Sequence, residues 1–371
     1  GTDGLGVPDH LYRVPDRLSA QTPEDGWRSG AVEHDPAVGT AAAAWLTPAG
    51  GLPVVVGAAD GDYHLLDLPG YAGNNWWMHV TLHEPTIALS PDGSRLAYSW
   101  AEFGPDSDNE PIPSGIRVVD LRTGETSTYA LEGAEGTVVT EIAWSPGARW
   151  LGWAGARMAS WTEMSMGGSD GVAGRIELAS DARTELDIGS PEVSIGIDDR
   201  GVLAVGSGSR LRLWDGRHTD RARVTGLTDL PIAAGPGGAW AVPGTEVVTL
   251  LEGDDVRDIP VDGATRVFAL GATAGDLVVS TDRNDGTGTT YLVASDGGAP
   301  RPIIDVGIAS PGSLTLAVDL IDPDHPTVER PAPHWPWWTD RGTTILWGSA
   351  VALLVLVAAG SLVLSRRRSS R

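Results

Sequence analysis

Two stretches of the chain contain side chains that are suited to molecular recognition. The first stretch, residues 101–114, combines Phe103 with the acidic residues Asp106 and Asp108. The second stretch, residues 157–172, contains three of the four methionines of the chain and one tryptophan: Met158, Met164, Met166 and Trp161. Exposed methionine and tryptophan suit an adaptable recognition surface. We expect these residues to form a binding site; the alternative is that the second stretch folds back and packs on its own domain.

The sequence contains no recognisable catalytic motif. It has no cysteine, which excludes thiol catalysis and thiolate metal sites, and no lysine, which excludes lysine Schiff bases. Residues 206–210 lack the final glycine of a nucleophile elbow, and His83 and Glu84 lack the second histidine of a zincin helix. The sequence therefore predicts no catalytic residue and no cofactor. One acidic cluster is interpreted as a solvated hinge, with a metal site as the alternative: Asp319, Asp322, Asp324 and His325.

The acidic charge of the chain limits its partners. The net charge is −23 at pH 7, and four arginines without any acid follow Leu364, so residues 1–364 carry −27. A domain this acidic repels phosphate backbones. We therefore expect no nucleic-acid partner.

The elements that must position these residues are short strands. Residues 87–98 and 142–153 repeat a strand, a Ser-Pro turn and a second strand at an offset of 55. A third copy with an eroded turn begins at Ile197, and a fourth copy begins at Ala309. A further strand and turn follow each copy. The unit thus has about four strands and recurs every 35 to 55 residues, which is typical of the blades of a β-propeller.

The signature Ser-Pro-Asp-Gly-x-x-Leu-Ala at Ser90–Ala97 resembles that of the TolB-like and WD-repeat-like propellers. The resemblance covers residues 35–321 and implies an all-β propeller. Seven units begin near Gly39, Pro85, Val138, Val193, Leu230, Thr265 and Asp305. We predict seven blades, with six as the alternative. The last unit has room for only two strands, so we expect Leu11–Val14 and the rest of residues 1–34 to supply strands that help to close the ring.

The propeller architecture would bring the two recognition stretches together. Each of them joins the second and third strands, counted from the centre, in one of two adjacent units. Equivalent connections lie on the same face of a propeller. The two stretches should therefore be neighbours at one end of the ring.

The C-terminal part of the chain has the pattern of a membrane anchor. Ile345–Leu364 is a run of twenty residues without a charge, and a helix of this length spans the roughly 30 Å hydrocarbon core of a bilayer. Its two flanks hold aromatic and basic residues that fit the two membrane surfaces: Trp337, Trp338 and Trp347 on one side, and Arg366, Arg367 and Arg368 on the other. The sequence predicts a single-pass cell-membrane protein; the alternative is a buried helix of a soluble domain.

The expected order along the chain follows from these segments. The propeller lies outside the membrane, residues 322–344 form a proline-rich stalk, residues 345–364 span the bilayer, and residues 365–371 form a basic cytoplasmic tail. Such a topology requires an export signal ahead of Gly1, either a cleaved signal peptide or an N-terminal helix.

Two classes of function are compatible with this organisation. The first is a non-catalytic binding or scaffold module for a protein or a cell-envelope glycan, since tryptophan also stacks on sugar rings. The second is a propeller-class glycosidase or lyase that uses paired carboxylates. A third possibility, a sensor that signals through its single helix, would need a membrane partner because the tail is too short to hold a domain.

Overall fold

The computed structural model describes most of the first 330 residues. The described ranges are 12–19, 32–47, 51–71, 86–101, 113–131, 136–158, 170–190, 193–223, 230–235, 238–253, 255–273, 275–282, 287–295, 298–308 and 313–330.

The described residues form short β-strands joined by turns. Six strands come first: β1 (Val14–Pro15), β2 (Arg17–Ser19), β3 (Val32–Glu33), β4 (Ala41–Leu46), β5 (Pro53–Gly57) and β6 (Tyr63–Leu66). Blade 1 consists of β7 (Ile87–Leu89), β8 (Arg95–Ala101), β9 (Ser114–Asp120) and β10 (Thr126–Ala130). Blade 2 consists of β11 (Gly136–Trp144), β12 (Trp150–Met158), β13 (Asp170–Glu177) and β14 (Ala182–Gly189). Blade 3 consists of β15 (Ser194–Ile197), β16 (Leu203–Ser207), β17 (Arg210–Trp214) and β18 (Thr219–Arg223).

The second half of the chain continues the same arrangement. Blade 4 consists of β19 (Ala233–Ala234), β20 (Trp240–Pro243), β21 (Val247–Glu252) and β22 (Asp255–Pro260). Blade 5 consists of β23 (Arg266–Ala272), β24 (Asp276–Asp282), β25 (Gly288–Ala294) and β26 (Arg301–Gly307). The last elements are β27 (Thr315–Leu316), a 3-10 helix (Val318–Leu320) and β28 (Thr327–Val328).

Blade 6 closes the ring by joining the two ends of the described chain. Its innermost strand is β27, which pairs antiparallel with β4 and is followed outward by β5 and β6. The described residues thus form six blades, and the prediction of seven is wrong. The units that begin near Gly39 and Asp305 are separate in the sequence pattern, but their strands share one blade.

The N-terminal strands attach to the outside of the ring. β2 adds a fifth, parallel strand to blade 5, and β3 adds a fifth, parallel strand to blade 6. β1 pairs with β28 in a separate two-stranded sheet and completes no blade.

The core lies between the blades. Each of the six buried apolar clusters draws its residues from two neighbouring blades, including one that joins blades 5 and 6. Small side chains bring the strands close at the centre, as in the wholly buried run of four alanines in β4. A six-junction core of this kind holds a closed ring, in which the inner edge of each sheet faces the centre and is shielded by the neighbouring blades.

The turn between β7 and β8 shows why the Ser-Pro-Asp-Gly sequence suits the connection between the first two strands of a blade. The Asp92 carboxylate accepts hydrogen bonds from Ser90 Oγ at 2.6 Å and from the Ser94 amide at 3.1 Å. Gly93 has φ of 71°, and a Cβ there would lie 2.0 Å from the Ala41 carbonyl oxygen of blade 6. Glycine is therefore required both by the turn and by the contact between blades.

The predicted membrane segment lies outside the described residues. Within the part of the chain that the structure describes, no helix has the length and apolar character to cross a bilayer. The anchor therefore remains a prediction.

Candidate functional site

The strand order defines two faces of the ring. Strands are counted from the centre of each blade outward. We call the end of the ring at which the second strand connects to the third strand the loop face. At the opposite end, the turn face, the first strand connects to the second and the third strand connects to the fourth. In blade 1, the turn between the third and fourth strands contacts the turn between the first and second strands, since the Leu121 amide donates to the Ser94 carbonyl at 2.8 Å.

Both recognition stretches begin and end on the loop face. Residues 101–114 connect β8 to β9, with Ala101 opposite Ser114, and residues 157–172 include the connection of β12 to β13, with Arg157 opposite Asp170. Blades 1 and 2 are adjacent, since β11 packs against β7, β8 and β9. The prediction that the stretches join equivalent strands of neighbouring blades is confirmed by this strand order.

The side chains predicted to bind a partner lie almost entirely outside the described residues. This holds for Phe103, Asp106, Asp108, Trp161, Met164 and Met166, and also for the anchor residues Trp337, Trp338, Trp347, Arg366, Arg367 and Arg368. Met158 is the last residue of β12, and its backbone pairs with Gly136. The binding role of these residues stays a prediction.

The base of the second stretch is held by a charged network. The guanidinium of Arg157 donates to Asp187 at 2.6 Å and to Glu185 at 2.9 Å, both on the outer strand β14. The hydrogen bond to Glu185, followed by the one to Asp187, raises the pKa of Arg157. Because this side chain crosses from β12 over β13, it ties three strands together just below the connection.

The base of the first stretch is held by stacking and hydrogen bonds. The Arg117 guanidinium lies 4.5 Å from the ring centre of Trp100 and donates to the Pro69 carbonyl at 2.6 Å. Tyr98 also donates to Pro69, at 3.1 Å, and burial raises the pKa of its phenol to about 12 despite the nearby Arg117 charge. The sequence does not reveal that Arg117 and Tyr98 hold this stretch in place, because these residues and their partners are 17 to 48 residues apart and form no local motif.

A narrow channel, lined by both polar and apolar groups, lies among the inner strands near the centre of the ring. Its cavity volume is about 180 Å³, below that of sites for drug-sized ligands. The inner strands line it mainly with alanine, leucine and isoleucine, and Glu141 is the one charged residue among the described residues of its wall. Glu141 faces the channel beside a β-bulge, where β11 carries one residue more than β12.

Three carboxylates interact electrostatically on the turn face of the ring: Asp319, Asp92 and Asp199. Partial desolvation raises the pKa of Asp319, and the negative charges of Asp92 and Asp199 raise it further. Burial alone would also raise the pKa of Asp92, but hydrogen bonds from Ser90 and Ser94 outweigh it and lower that pKa. Asp199 accepts a hydrogen bond from the Gly147 amide of the adjoining blade at 2.6 Å.

The predicted hinge at the end of the ring is a hydrogen-bonded turn. Asp322 accepts a bond from the Asp324 amide at 2.9 Å, and this bond, with one from the His325 backbone, lowers the pKa of Asp322. Among the described residues, no group of three or more histidine, aspartate or glutamate side chains has the arrangement of a metal site.

Comparison with known proteins finds solved structures of similar architecture. No protein-family profile and no curated protein matches the chain. Among solved structures, it is similar to TolB from Acinetobacter baumannii, with 12% identity and a TM-score of 0.40 over 72% of this chain and 66% of that one. A structure of the mitotic checkpoint complex has 16% identity and a TM-score of 0.40 over 63% of this chain and 67% of that one.

Enzymes with a propeller are also among the neighbours. A structure from a study of two prolyl endopeptidases has 14% identity and a TM-score of 0.39 over 73% of this chain, which spans 44% of that longer chain. TolB and the WD40 repeats of RRP9 are both among the similar solved structures, which agrees with the resemblance of the Ser90–Ala97 signature. Six blades and their closure rest on the strand pairing itself.

Proposed function

We propose that this protein is a non-catalytic binding module that receives a protein partner at its loop face. The bound partner contacts the two recognition stretches of blades 1 and 2. A C-terminal stalk and membrane helix hold the ring at the outer surface of the cell membrane.

The observation that supports this proposal most directly is the position of the chain ends relative to the two long connections. The Arg13 amide and the Arg330 guanidinium both donate to the Ala58 carbonyl, at 3.1 and 3.0 Å. Ala58 belongs to the turn between β5 and β6, on the turn face. The described chain therefore enters and leaves on the face opposite the recognition stretches.

This arrangement suits a tethered receptor. If residues 345–364 span the bilayer, the 14 residues 331–344 separate Arg330 from the membrane by at most about 43 Å in an extended proline-rich conformation. The turn face then points toward the membrane and the loop face points away from it. A partner that approaches from outside meets the two stretches first.

The anchored bases of the stretches reduce the cost of binding. Arg157 and Arg117 fix the strands on which the two connections begin and end. These strands are thus already fixed before a partner binds, and their ordering adds no entropy cost to association.

One feature favours the alternative function, a propeller-class enzyme with paired carboxylates. The pKa values of Asp319 and Asp92 are shifted in opposite directions, as in many pairs of a catalytic acid and base. However, both oxygens of the Asp92 carboxylate are already bonded within the Ser90–Ser94 turn. These hydrogen bonds favour a structural role for Asp92. The binding module is therefore the better supported function.

The experiment is crosslinking of the full-length protein in intact cells. The triple variant W161S, M164S and M166S should lose the crosslinked partner while its melting temperature stays unchanged. A matched control replaces Arg283 and Asn284 by serine in the corresponding connection of blade 5, and it should retain the partner.

Three outcomes would count against this proposal. Retention of the partner by the triple variant would contradict the role of the second stretch. A lowered melting temperature of that variant would show that the stretch packs on its own blade. Binding of a purified envelope glycan by the unchanged protein, without any protein crosslink, would replace the protein partner by a glycan.

A further inference from the structure

Two blades of the ring already bind an extended segment at their outer edge. β2 lies parallel to β26, with Leu18 opposite Val306, and β3 lies parallel to β6, with Val32 opposite Leu65. Strand addition of this kind is a general mode of peptide recognition. The other four blades end in β10, β14, β18 and β22, and no further strand of the described chain pairs with these edges.

The edge of blade 1, formed by β10, lacks the residues that protect an open strand. Proteins block such edges with charged residues and with proline. β14, β18 and β22 each contain three charged residues, and β22 also ends in Pro260. β10 has the sequence Thr-Ser-Thr-Tyr-Ala, without charge or proline, and its first three residues are exposed. Of these four edges, the one of blade 1 is therefore the least protected against an added strand.

The pairing of β10 with β9 shows which backbone groups face outward. The Asp120 amide donates to the Glu125 carbonyl at 2.9 Å, just before β10, and the Leu131 amide donates to the Ser114 carbonyl at 3.0 Å, just after it. Along an antiparallel pair, residues that bond to the partner strand alternate with residues that do not. Three residues of β10 therefore point their backbone groups away from β9: Thr126, Thr128 and Ala130.

Most of these outward groups are open to a further strand. Within the described part of the chain, no hydrogen bond engages the amides of Thr126 and Thr128. The Ala130 carbonyl accepts a hydrogen bond from Arg183 of blade 2, which closes that end of the edge. Residues 126–129 remain, and this length exceeds the three residues of β2 and the two of β3.

Charge indicates what kind of segment fits this edge. Arg17 of β2 lies opposite Asp305 of β26, with their charged groups 3.8 Å apart, and Glu33 of β3 contacts the His64 ring of β6 at 2.9 Å. Each added strand thus carries a charged residue that matches one on its edge strand. By the same complementarity, the uncharged β10 fits an uncharged segment, and threonine and valine are the neutral residues best suited to a strand.

The edge of β10 is continuous with the loop-face site. β10 runs toward the loop face, and Leu131, which follows it, bonds to Ser114, where the first recognition stretch ends. A partner that contacts this stretch can therefore extend a segment along the outer side of blade 1.

We propose that the outer edge of β10 binds an uncharged extended segment of the protein partner as a fifth, parallel strand of blade 1. The backbone of the segment pairs with residues 126–129, as β2 pairs with β26. Its side chain opposite Tyr129 covers that half-buried ring, which packs on the core between blades 1 and 2. The inference takes its partner from the proposed function, and the edge itself is tested separately.

The test uses the full chain in nonionic detergent and a fluorescein-labelled peptide of alternating threonine and valine, made soluble by an ethylene-glycol linker. We expect saturable binding by fluorescence anisotropy and slower amide exchange in residues 126–129 when the peptide is bound. Thr128→Pro removes an outward donor without breaking a bond to β9. It should bind the peptide about tenfold more weakly, because one backbone hydrogen bond of the added strand is lost.

Two control variants separate this donor from other effects. Thr128→Val keeps the amide and removes the hydroxyl, and it should bind as the unchanged protein does. Val256→Pro removes an outward donor from β22, where the bond of the Val261 amide to Glu246 places Val256 and Pro260 on the outward side. It should also bind normally. Melting temperatures check that each variant folds, and Thr126→Pro, at the first position of β10, replaces Thr128→Pro if the latter is unstable.

A second peptide decides whether binding is by strand addition. It has the same side chains but N-methyl groups on all backbone amides, which removes every donor that a strand needs. Weaker binding of this peptide supports the proposal, and equal binding of both peptides would contradict strand addition. Undiminished binding by the folded proline variant of β10, or no binding at all, would contradict the site. These results leave the loop-face proposal standing, since crosslinking tests that proposal with other residues.

Discussion

At the scale of single residues, glycines and buried polar groups carry much of the specificity of the fold. Gly93 combines a left-handed backbone with a contact to the neighbouring blade. Tyr98 combines complete burial with a hydrogen bond to Pro69. Both residues link blade 1 to blade 6, and each yields a stability prediction.

Replacement of Gly93 by alanine should destabilise the ring by about 3 kcal/mol, through backbone strain and through the collision of the new Cβ with the Ala41 carbonyl. Gly263 is the matched control, because its φ is 74° but a Cβ added there would meet nothing within 4 Å beyond its chain neighbours. Gly263→Ala should cost only about 1 kcal/mol. Chemical denaturation of both variants measures the difference, and equal losses would show that the blade contact at Gly93 is unimportant.

Tyr98 should make stability depend on alkaline pH. Burial raises its pKa from 10.0 to about 12 in the folded protein, so the neutral phenol is favoured by folding. Its contribution is complete below pH 10 and is lost as the pH rises from 10 through 12, by about 2–3 kcal/mol in total. Tyr98→Phe should lower stability below pH 10 by removing the bond to Pro69. Its denaturation free energy should fall less steeply between pH 10 and 12, so the difference between the two proteins should shrink there. Parallel slopes for the two proteins would contradict this assignment.

At the scale of elements, the added strands β2 and β3 clamp the N-terminal part of the described chain to the ring. Leu18 of β2 is fully buried between blades 5 and 6, although the strand has only three residues. The clamp therefore depends on one apolar side chain and a few backbone bonds.

Leu18→Ala should lower the free energy of unfolding by about 3 kcal/mol, because it leaves a cavity in the core between blades 5 and 6. Val256→Ala is the control, since this apolar residue on the outer strand β22 is 56% exposed. We expect the control to change stability by less than about 0.5 kcal/mol. Urea denaturation compares the two, and a similar small effect for both variants would mean that β2 does not contribute to the core.

The sequence predicted repeated elements better than isolated ones. The Ser90–Ala97 signature and its copy 55 residues later located the first two strands of blades 1 and 2, because turn residues and apolar alternation are local signals. The sequence predicted strands within residues 1–34, but it could not predict the position or the pairing of β2 and β3, which have three and two residues and lie parallel to distant strands. The anchoring of the recognition stretches could not be predicted for the same reason, since Arg157 reaches Asp187 across 30 residues.

At the scale of the whole molecule, the blade count depends on how the ends meet. The unit at Asp305 has room for only two strands in the sequence, and only the pairing of β27 with β4 shows that it shares a blade with the unit at Gly39. The same closure brings Arg13 and Arg330 to one carbonyl on the turn face. It thus leaves the loop face free of both described chain ends, which is the basis of the proposed function.

The measurement that tests this function most directly is site-specific crosslinking from the two faces. The chain has no cysteine, so a single one can be introduced at Asp170 on the loop face or at Arg217 on the turn face, both exposed. Each variant is labelled in intact cells with a membrane-impermeant maleimide that carries a photocrosslinker. We predict a crosslinked partner from position 170 and none from position 217. A partner captured from position 217 alone, or equally from both positions, would contradict binding at the loop face.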